Sequence, residues 1–180
     1  MKYNDYLVDL PTKIITTNLN INSKYQQKCL EEIYKLGDAQ NNKTNVKAIM
    51  SNYHIWKDTD ILNPLIDEIV SVSNNIYPPY YNRFNYILID CWSAIYQKEH
   101  HSIPHTHFPY GQMSFVYYLK TSSNSSPLVF DECNFEIQPQ EDMLVLFPTY
   151  MFHSVPKQKI NEDRVVVAGN LQWDLIVKDK

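Results

Sequence analysis

Three histidines and one arginine carry the chemistry that this sequence offers. His105 and His107 stand at i and i+2, His153 follows later, and Arg164 lies eleven residues beyond it. In an extended segment, side chains at i and i+2 share a face, because they alternate with a period of two. Two imidazoles placed that way, joined by a third from a later strand, could cap one face of a metal ion. A cation beyond them could hold an anionic cosubstrate, since a planar guanidinium grips a carboxylate with two parallel hydrogen bonds. The chemistry implied is a mononuclear metal centre with open positions.

Each of these residues has a competing reading. His100, His101, His105 and His107 fall within eight residues, and a solvated histidine-rich loop would also produce that cluster. The apolar strand after His107 and the buried-looking run 144–148 before His153 favour metal binding. Imidazole suits iron, zinc, copper and nickel, so ligand type does not select the metal. Non-heme iron oxygenases place two histidines and one carboxylate on one face and leave sites for oxygen and cosubstrate. Here His-x-His stands where His-x-Asp is expected, and Asp131 and Glu132 are the nearest carboxylates that could replace His107. Arg164 could instead sit at the surface beside Glu162 or Asp163.

The elements that must position these groups divide by period. Residues 1–82 carry helical signals. Residues 23–36 put Tyr25, Cys29, Ile33 and Leu36 on one helical face, with Asn22 as N-cap and Gly37 as stop. A second helix is predicted from Pro64, behind Asn63, with Leu65, Ile66, Ile69, Val70 and Ile76 facing inward. The polar stretch 37–47 between them reads as a loop. Residues 83–175 read as short strands at 84–96, 113–119, 128–130, 135–137, 143–147 and 164–173. Such strands, parted by turns, predict a sandwich or barrel.

Composition bounds the rest. A chain of 180 residues with 44% hydrophobic and 20% charged residues suits one domain with a sizeable core. Glycine is scarce at 3 residues, so turns must lean on Asn, Asp and Pro. A net charge of -4 argues against a nucleic-acid partner, which would want a basic surface. Cys29, Cys91 and Cys133 show no C-x-x-C spacing, so free thiols in a reducing compartment are expected. The opening Met1 to Asp5 leads into no apolar segment, and no run of about 18 apolar residues occurs. A cytoplasmic protein with no membrane partner is expected (host cytoplasm if phage-encoded).

Five stretches follow one another in a recognisable order. They are Ser51-Asn52 with Trp56, the strand from Trp92 to Tyr96, and His105-Thr106-His107 followed by Ser114 and Tyr117-Tyr118. Pro139, the run 144–148 and His153 come next, then the strand from Arg164 to Asn170. This order resembles the iron(II)/2-oxoglutarate-dependent oxygenases, and within them the small group, common in phages and bacteria, that is related to prolyl hydroxylases. The resemblance covers most of the chain. It implies a mainly β fold with flanking helices: a double-stranded β-helix (jelly-roll, cupin-like) with N-terminal helices packed on one sheet. One domain would span 1–180, with 1–82 as helical support and 83–175 as the β-helix core.

The resemblance also implies roles. Fe(II) would be held by His105 and His153, with His107 at the position of the superfamily's aspartate. Arg164 would grip the far carboxylate of 2-oxoglutarate, Tyr118 and Tyr96 would line or hold it, and Asn170 would face the site from the same strand. The reaction implied is hydroxylation of a peptidyl proline, an amino acid or another small substrate, with ascorbate as a candidate reductant.

The chain departs from the group at three places. Phe115 stands where a glycine is usual, which is expected to narrow a strand contact. Glu141 or Asp142 replaces another glycine, which is expected to alter a turn. His107 leaves the metal more positive by about one charge, because a neutral imidazole replaces an ionised carboxylate. Halogenases of this fold have a small residue there, and His107 is large. Two rival functions remain: a three-histidine cupin-type dioxygenase without 2-oxoglutarate, and a non-catalytic barrel binding domain. The tyrosine- and proline-rich stretch 77–86 is either part of a lid or a packed linker.

Overall fold

The computed structural model describes residues 12–40, 44–76 and 84–175. In chain order the elements are β1 (Ile15–Asn18), α1 (Ser23–Leu36), β2 (Val46–Lys47), β3 (Ile49–Met50) and α2 (Asn63–Ile76). Then follow β4 (Phe84–Tyr96), β5 (His101–His105), β6 (Met113–Lys120), β7 (Leu128–Phe130) and β8 (Phe135–Ile137). β9 (Met143–Pro148), β10 (His153–Val155) and β11 (Arg164–Leu175) complete them. The strands form a six-stranded sheet, β1-β9-β6-β11-β4-β3, and a five-stranded sheet, β2-β5-β10-β7-β8. Every pairing in both sheets is antiparallel.

The middle of the larger sheet is buried on both faces, which is why β6, β9 and the adjoining parts of β4 and β11 read as nearly continuous apolar runs rather than as alternation. One set of alternate residues packs outward against the helices. Phe115, Tyr117, Leu144, Leu146, Val165 and Val167 meet Cys29 and Ile33 of α1 and Leu65 and Ile69 of α2 in one core. The other set packs inward, where Trp92, Ala94, Tyr96, Tyr118, Val145, Phe147, Val166 and Ala168 meet Leu128, Phe130 and Val155 of the smaller sheet. The predicted helices thus lie on one sheet, as expected, and the site residues lie on the inward set.

Local chemistry sets the helix ends. Asn22 caps α1, its Oδ1 accepting from the backbone N–H of Lys24 and Tyr25, and Gly37 ends it at a φ of 65°. In α2 the expected inward set holds for Leu65, Ile66 and Ile69, whereas Ile76 at the last turn is 38% exposed. The region before residue 82 is not purely helical. β1 pairs with β9, β2 with β5 and β3 with β4, so this segment contributes edges to both sheets. These three strands of two to four residues lie among helical and polar signals and show no period of their own, which hid them from sequence reading. Residues 77–83 of the tyrosine-rich stretch lie outside the described residues. Tyr86 at its end is buried in the helix-side core.

The two glycine departures have structural reasons. Asp142 has a φ of 66°, a conformation that Asp tolerates better than most residues. Its carboxylate accepts from the backbone N–H of Asn20 and Ile21 and from the Tyr117 hydroxyl, so it joins the chain before α1 to the sheet. Phe115 lies opposite Gly169 across the β6–β11 pairing. A Cβ on Gly169 would lie 2.7 Å from Phe115 Cζ and press into the Asp90 carbonyl. The bulky residue on one strand is accommodated by the missing side chain on the next. Gly169→Ala should therefore destabilise the protein by about 1–3 kcal/mol, the usual scale of overpacking. Thermal unfolding checks this, and an unchanged midpoint would contradict it.

Candidate active site

The first histidine closes a strand and the second lies beyond it. His105 is the last residue of β5, and His107 sits two residues further on, its backbone N–H donating to the Thr149 carbonyl. The expectation that both lie on one strand is thus corrected. They still converge, and β10 brings His153 directly opposite His105 in register. The ligand-capable nitrogens of His105, His107 and His153 all lie within 4.8 Å of one another. His100 and His101 are not in this group. His100 Nδ1 accepts from the Gln97 backbone N–H, and His101 Nδ1 is bonded to the Glu99 carbonyl. Asp131 Oδ1 accepts from the Ser154 hydroxyl while its Oδ2 is buried with no partner among the described residues, and neither Asp131 nor Glu132 is in the group.

The partners of the three rings define their protonation. His105 Nδ1 is 2.8 Å from the Ile103 carbonyl, and His153 Nδ1 is 3.0 Å from the Met151 carbonyl. A carbonyl only accepts, so both Nδ1 atoms carry the proton. His107 Nδ1 is 2.6 Å from Asn170 Oδ1. The orientation of that amide follows from Asp90, whose two oxygens take Asn170 Nδ2 at 2.8 and 3.1 Å. An ionised carboxylate only accepts, so Nδ2 must face Asp90 and Oδ1 must face His107. All three rings therefore present an unprotonated Nε2 to a common point. Fixing Nδ1–H on a carbonyl or a carboxylate-linked amide is how metal-binding histidines are oriented.

Burial favours the neutral rings. It lowers His107 to about 4 and His153 to about 3, with the neighbouring imidazoles adding to the fall, and it lowers His105 as well. Three lone pairs facing one another with no proton between them suit a cation.

Arg164 supplies the other half of the site. It stands at the start of β11 opposite Tyr96 and is 1% exposed, so the surface ion pair is ruled out. Asp163 instead accepts from the Tyr34 hydroxyl. The guanidinium lies 4.9 Å from the Tyr96 ring centroid and 5.1 Å from that of Tyr118, and Nη2 donates to the Tyr118 hydroxyl. Burial raises the Tyr96 hydroxyl to about 12, which keeps it protonated. Nε and Nη1 of Arg164 have no hydrogen-bond partner. A buried guanidinium with two unanswered donors suits an anion. A narrow cavity of about 40 Å³ is lined by the three histidines, Arg164 and Tyr96.

All seven residues singled out in the sequence thus fall in one region. Sequence reasoning missed Asp90, Trp92 as a neighbour of His107, and Ser114. Ser114 donates to Asn170 Oδ1, and the Trp92 ring meets His107 edge-on at 5.7 Å. Asp90 did leave a signal: it is in phase with Trp92, Ala94 and Tyr96, so an acid occupies a position on the inward set of β4.

The fold is the double-stranded β-helix of the 2-oxoglutarate–iron(II) oxygenases. It is similar to the viral collagen prolyl hydroxylase of Paramecium bursaria Chlorella virus-1 in complex with 2-oxoglutarate, at 10% identity and a TM-score of 0.67, over 88% of this chain and 94% of that one. A 2OG-Fe(II) oxygenase family protein from Burkholderia pseudomallei matches with a TM-score of 0.70 at 12% identity, over 89% of this chain and 84% of that one. HygX of Streptomyces hygroscopicus, with nickel and 2-oxoglutarate bound, matches with a TM-score of 0.67 at 10% identity, over 88% and 83%. In sequence, the chain matches no protein-family model and no curated protein. Among the described residues, no helix is long and apolar enough to cross a membrane.

The lowered histidines make a signed prediction. An unfolded histidine takes up its proton near pH 6.5, whereas folded His107 does so only at about 4. Between these values the unfolded state binds more protons, so acid favours unfolding. The metal-free protein should lose stability steadily from about pH 6.5 down to about 4, and His107→Gln should flatten that slope. Urea unfolding at several pH values measures this. A profile that is flat in the native protein would contradict it.

Proposed function

We propose that the chain is a non-heme iron(II) and 2-oxoglutarate-dependent dioxygenase that hydroxylates a peptidyl proline, an amino acid or another small substrate. The observation that carries this reading is the pair of unanswered Arg164 donors in the same cavity as three converging histidines. His105, His107 and His153 would hold the iron through Nε2. Arg164 would hold the distal carboxylate of 2-oxoglutarate, with the Tyr118 hydroxyl steadying the guanidinium and Tyr96 packed against it. When bound together with oxygen, these cofactors supply the oxidising power to hydroxylate an unactivated carbon, giving succinate and carbon dioxide as co-products. Ascorbate would serve as the reductant that keeps the iron ferrous.

The protein's own part is positioning. The inward walls of the two sheets exclude water from the narrow cavity. The cavity is tight, so a dicarboxylate enters it only as side chains along its walls part. Asn170 keeps the His107 proton on Nδ1, and Asp90 sets a negative charge behind that amide. This offsets in part the carboxylate that His107 replaces.

A second reading, a three-histidine dioxygenase that uses no cosubstrate, is favoured by the third imidazole and by the narrowness of the cavity. Arg164 separates the two. Anaerobic addition of iron(II) and 2-oxoglutarate should give the visible charge-transfer band of their chelate, and oxygen should then release succinate. His153→Ala should lose the metal. Arg164→Met should keep iron(II) but weaken 2-oxoglutarate by roughly 30-fold or more, about 2 kcal/mol for a buried charged partner. Equal loss of iron and 2-oxoglutarate in Arg164→Met would contradict its assigned role. Iron binding with neither chelate band nor succinate would favour the cosubstrate-free reading.

A further inference from the structure

A second cleft opens on the other side of His105 and His107. Its volume is about 310 Å³, and Tyr53, Asp90, Trp92 and Tyr110 contribute to its walls, with Thr44 and Asn45 at one end. Volumes from roughly 300 Å³ upward suit small-molecule sites. Because the cleft shares His105 and His107 with the cavity of Arg164, whatever occupies it lies against the histidine group.

Its chemistry is one-sided. Among the described lining residues, Asp90 is the one carboxylate, and no lysine or arginine is present. No ion pair among the described residues engages it. Asp90 is half-buried, and the hydrogen bonds it is seen to accept come from the neutral Asn170 amide. An ionised carboxylate has about four lone-pair sites, so acceptor capacity remains. Around it stand three aromatic side chains. Tyr53 meets Trp92 edge-on at 5.3 Å, and Tyr110 is 70% exposed at the cleft. Aromatic faces attract cations, and more strongly where water is excluded. An anion beside Asp90 would find no lysine or arginine among the described lining residues to offset the carboxylate, and a purely apolar group would strip water from its remaining acceptor sites.

We infer that this cleft takes a substrate bearing a protonated amine, with Asp90 as its anchor and Tyr53, Trp92 and Tyr110 as its aromatic walls. The inference rests on the oxygenase reading and narrows it, away from peptidyl proline and toward an amino acid or an amine-bearing side chain. The amine is either the α-ammonium of a free amino group or the ε-ammonium of a lysine side chain. Asp90 then has two duties on one carboxylate: it orients Asn170 behind His107, and it receives the substrate's charge.

Calorimetric titration tests this with four probes: norleucine methylamide for the α-ammonium, Nα-acetyl-lysine methylamide for the ε-ammonium, and the neutral Nα-acetyl-norleucine and Nα-acetyl-proline methylamides. The protein is titrated anaerobically, with and without iron(II) and 2-oxoglutarate. At least one cationic probe should bind tenfold or more tightly than both neutral ones, and which one it is identifies the amine. Asp90→Asn should abolish that preference. Tyr53→Leu should weaken the preferred cation severalfold more than the neutral probes, and a cooperative thermal transition in Asp90→Asn guards against a misfolded variant. Equal or tighter binding of a neutral probe would overturn the inference, as would no binding of either cation at millimolar concentration. A preference that survives Asp90→Asn would overturn it too. The chelate band is scored separately. Its presence without any cation preference refutes the amine cleft alone. Its absence beside a clear preference refutes the oxygenase reading and leaves the cleft standing.

Discussion

A guanidinium sealed from water constrains everything around it. Arg164 is 1% exposed, yet among the described residues it has no carboxylate partner and leaves two nitrogen donors unanswered. Two tyrosine rings and one hydroxyl soften the cost of that burial without neutralising the charge. Such a group destabilises a fold unless an anion completes it, so its retention points to a ligand rather than to stability. β11, near the middle of the larger sheet, holds this charge against the apolar inward wall and lines one cavity with the three histidines.

The histidine end obeys the opposite logic. There the charge is removed from the protein side: three rings are neutral, each proton is turned outward onto an acceptor, and the lone pairs turn inward. Among the described residues, the one carboxylate linked to this group, Asp90, lies behind His107, separated from it by the Asn170 amide. A metal held this way keeps more positive character than one ligated directly by a carboxylate, while still feeling a fixed negative charge beyond its ligand.

Much of this was legible in the sequence, and for physical reasons. β6, β9 and the adjoining parts of β4 and β11 are buried on both faces, so their β-branched and aromatic runs announce themselves. Asn22 and Gly37 mark the ends of α1 because the caps are local chemistry. Illegible were β1, β2 and β3, whose few residues carry no period and whose pairing is imposed by distant partners, and the bounds of β5 and β10. His105 and His107 do converge, though not for the reason of strand alternation. Strand alternation does not carry past the end of β5, and the Thr149 carbonyl places His107 instead. Asp90 was overlooked because an acid within a strand looks like an exposed position. Only its phase with Tyr96 says otherwise.

One ladder joins the two ends of the site. Arg164 pairs with Tyr96 and Asn170 with Asp90, six positions apart on both strands, with every intervening pair in register. At about 3.3 Å per residue this is a span of roughly 20 Å, and it is broken by an irregularity only beyond Asn170. The two strands therefore act as a ruler between the Arg164 cavity and the Asp90 cleft. Slipping β11 by one residue against β4 would turn Arg164 and Asn170 toward the helices and away from Tyr96 and Asp90. The geometry of this site is inherited whole or lost whole, and what can vary gradually is the lining of each end.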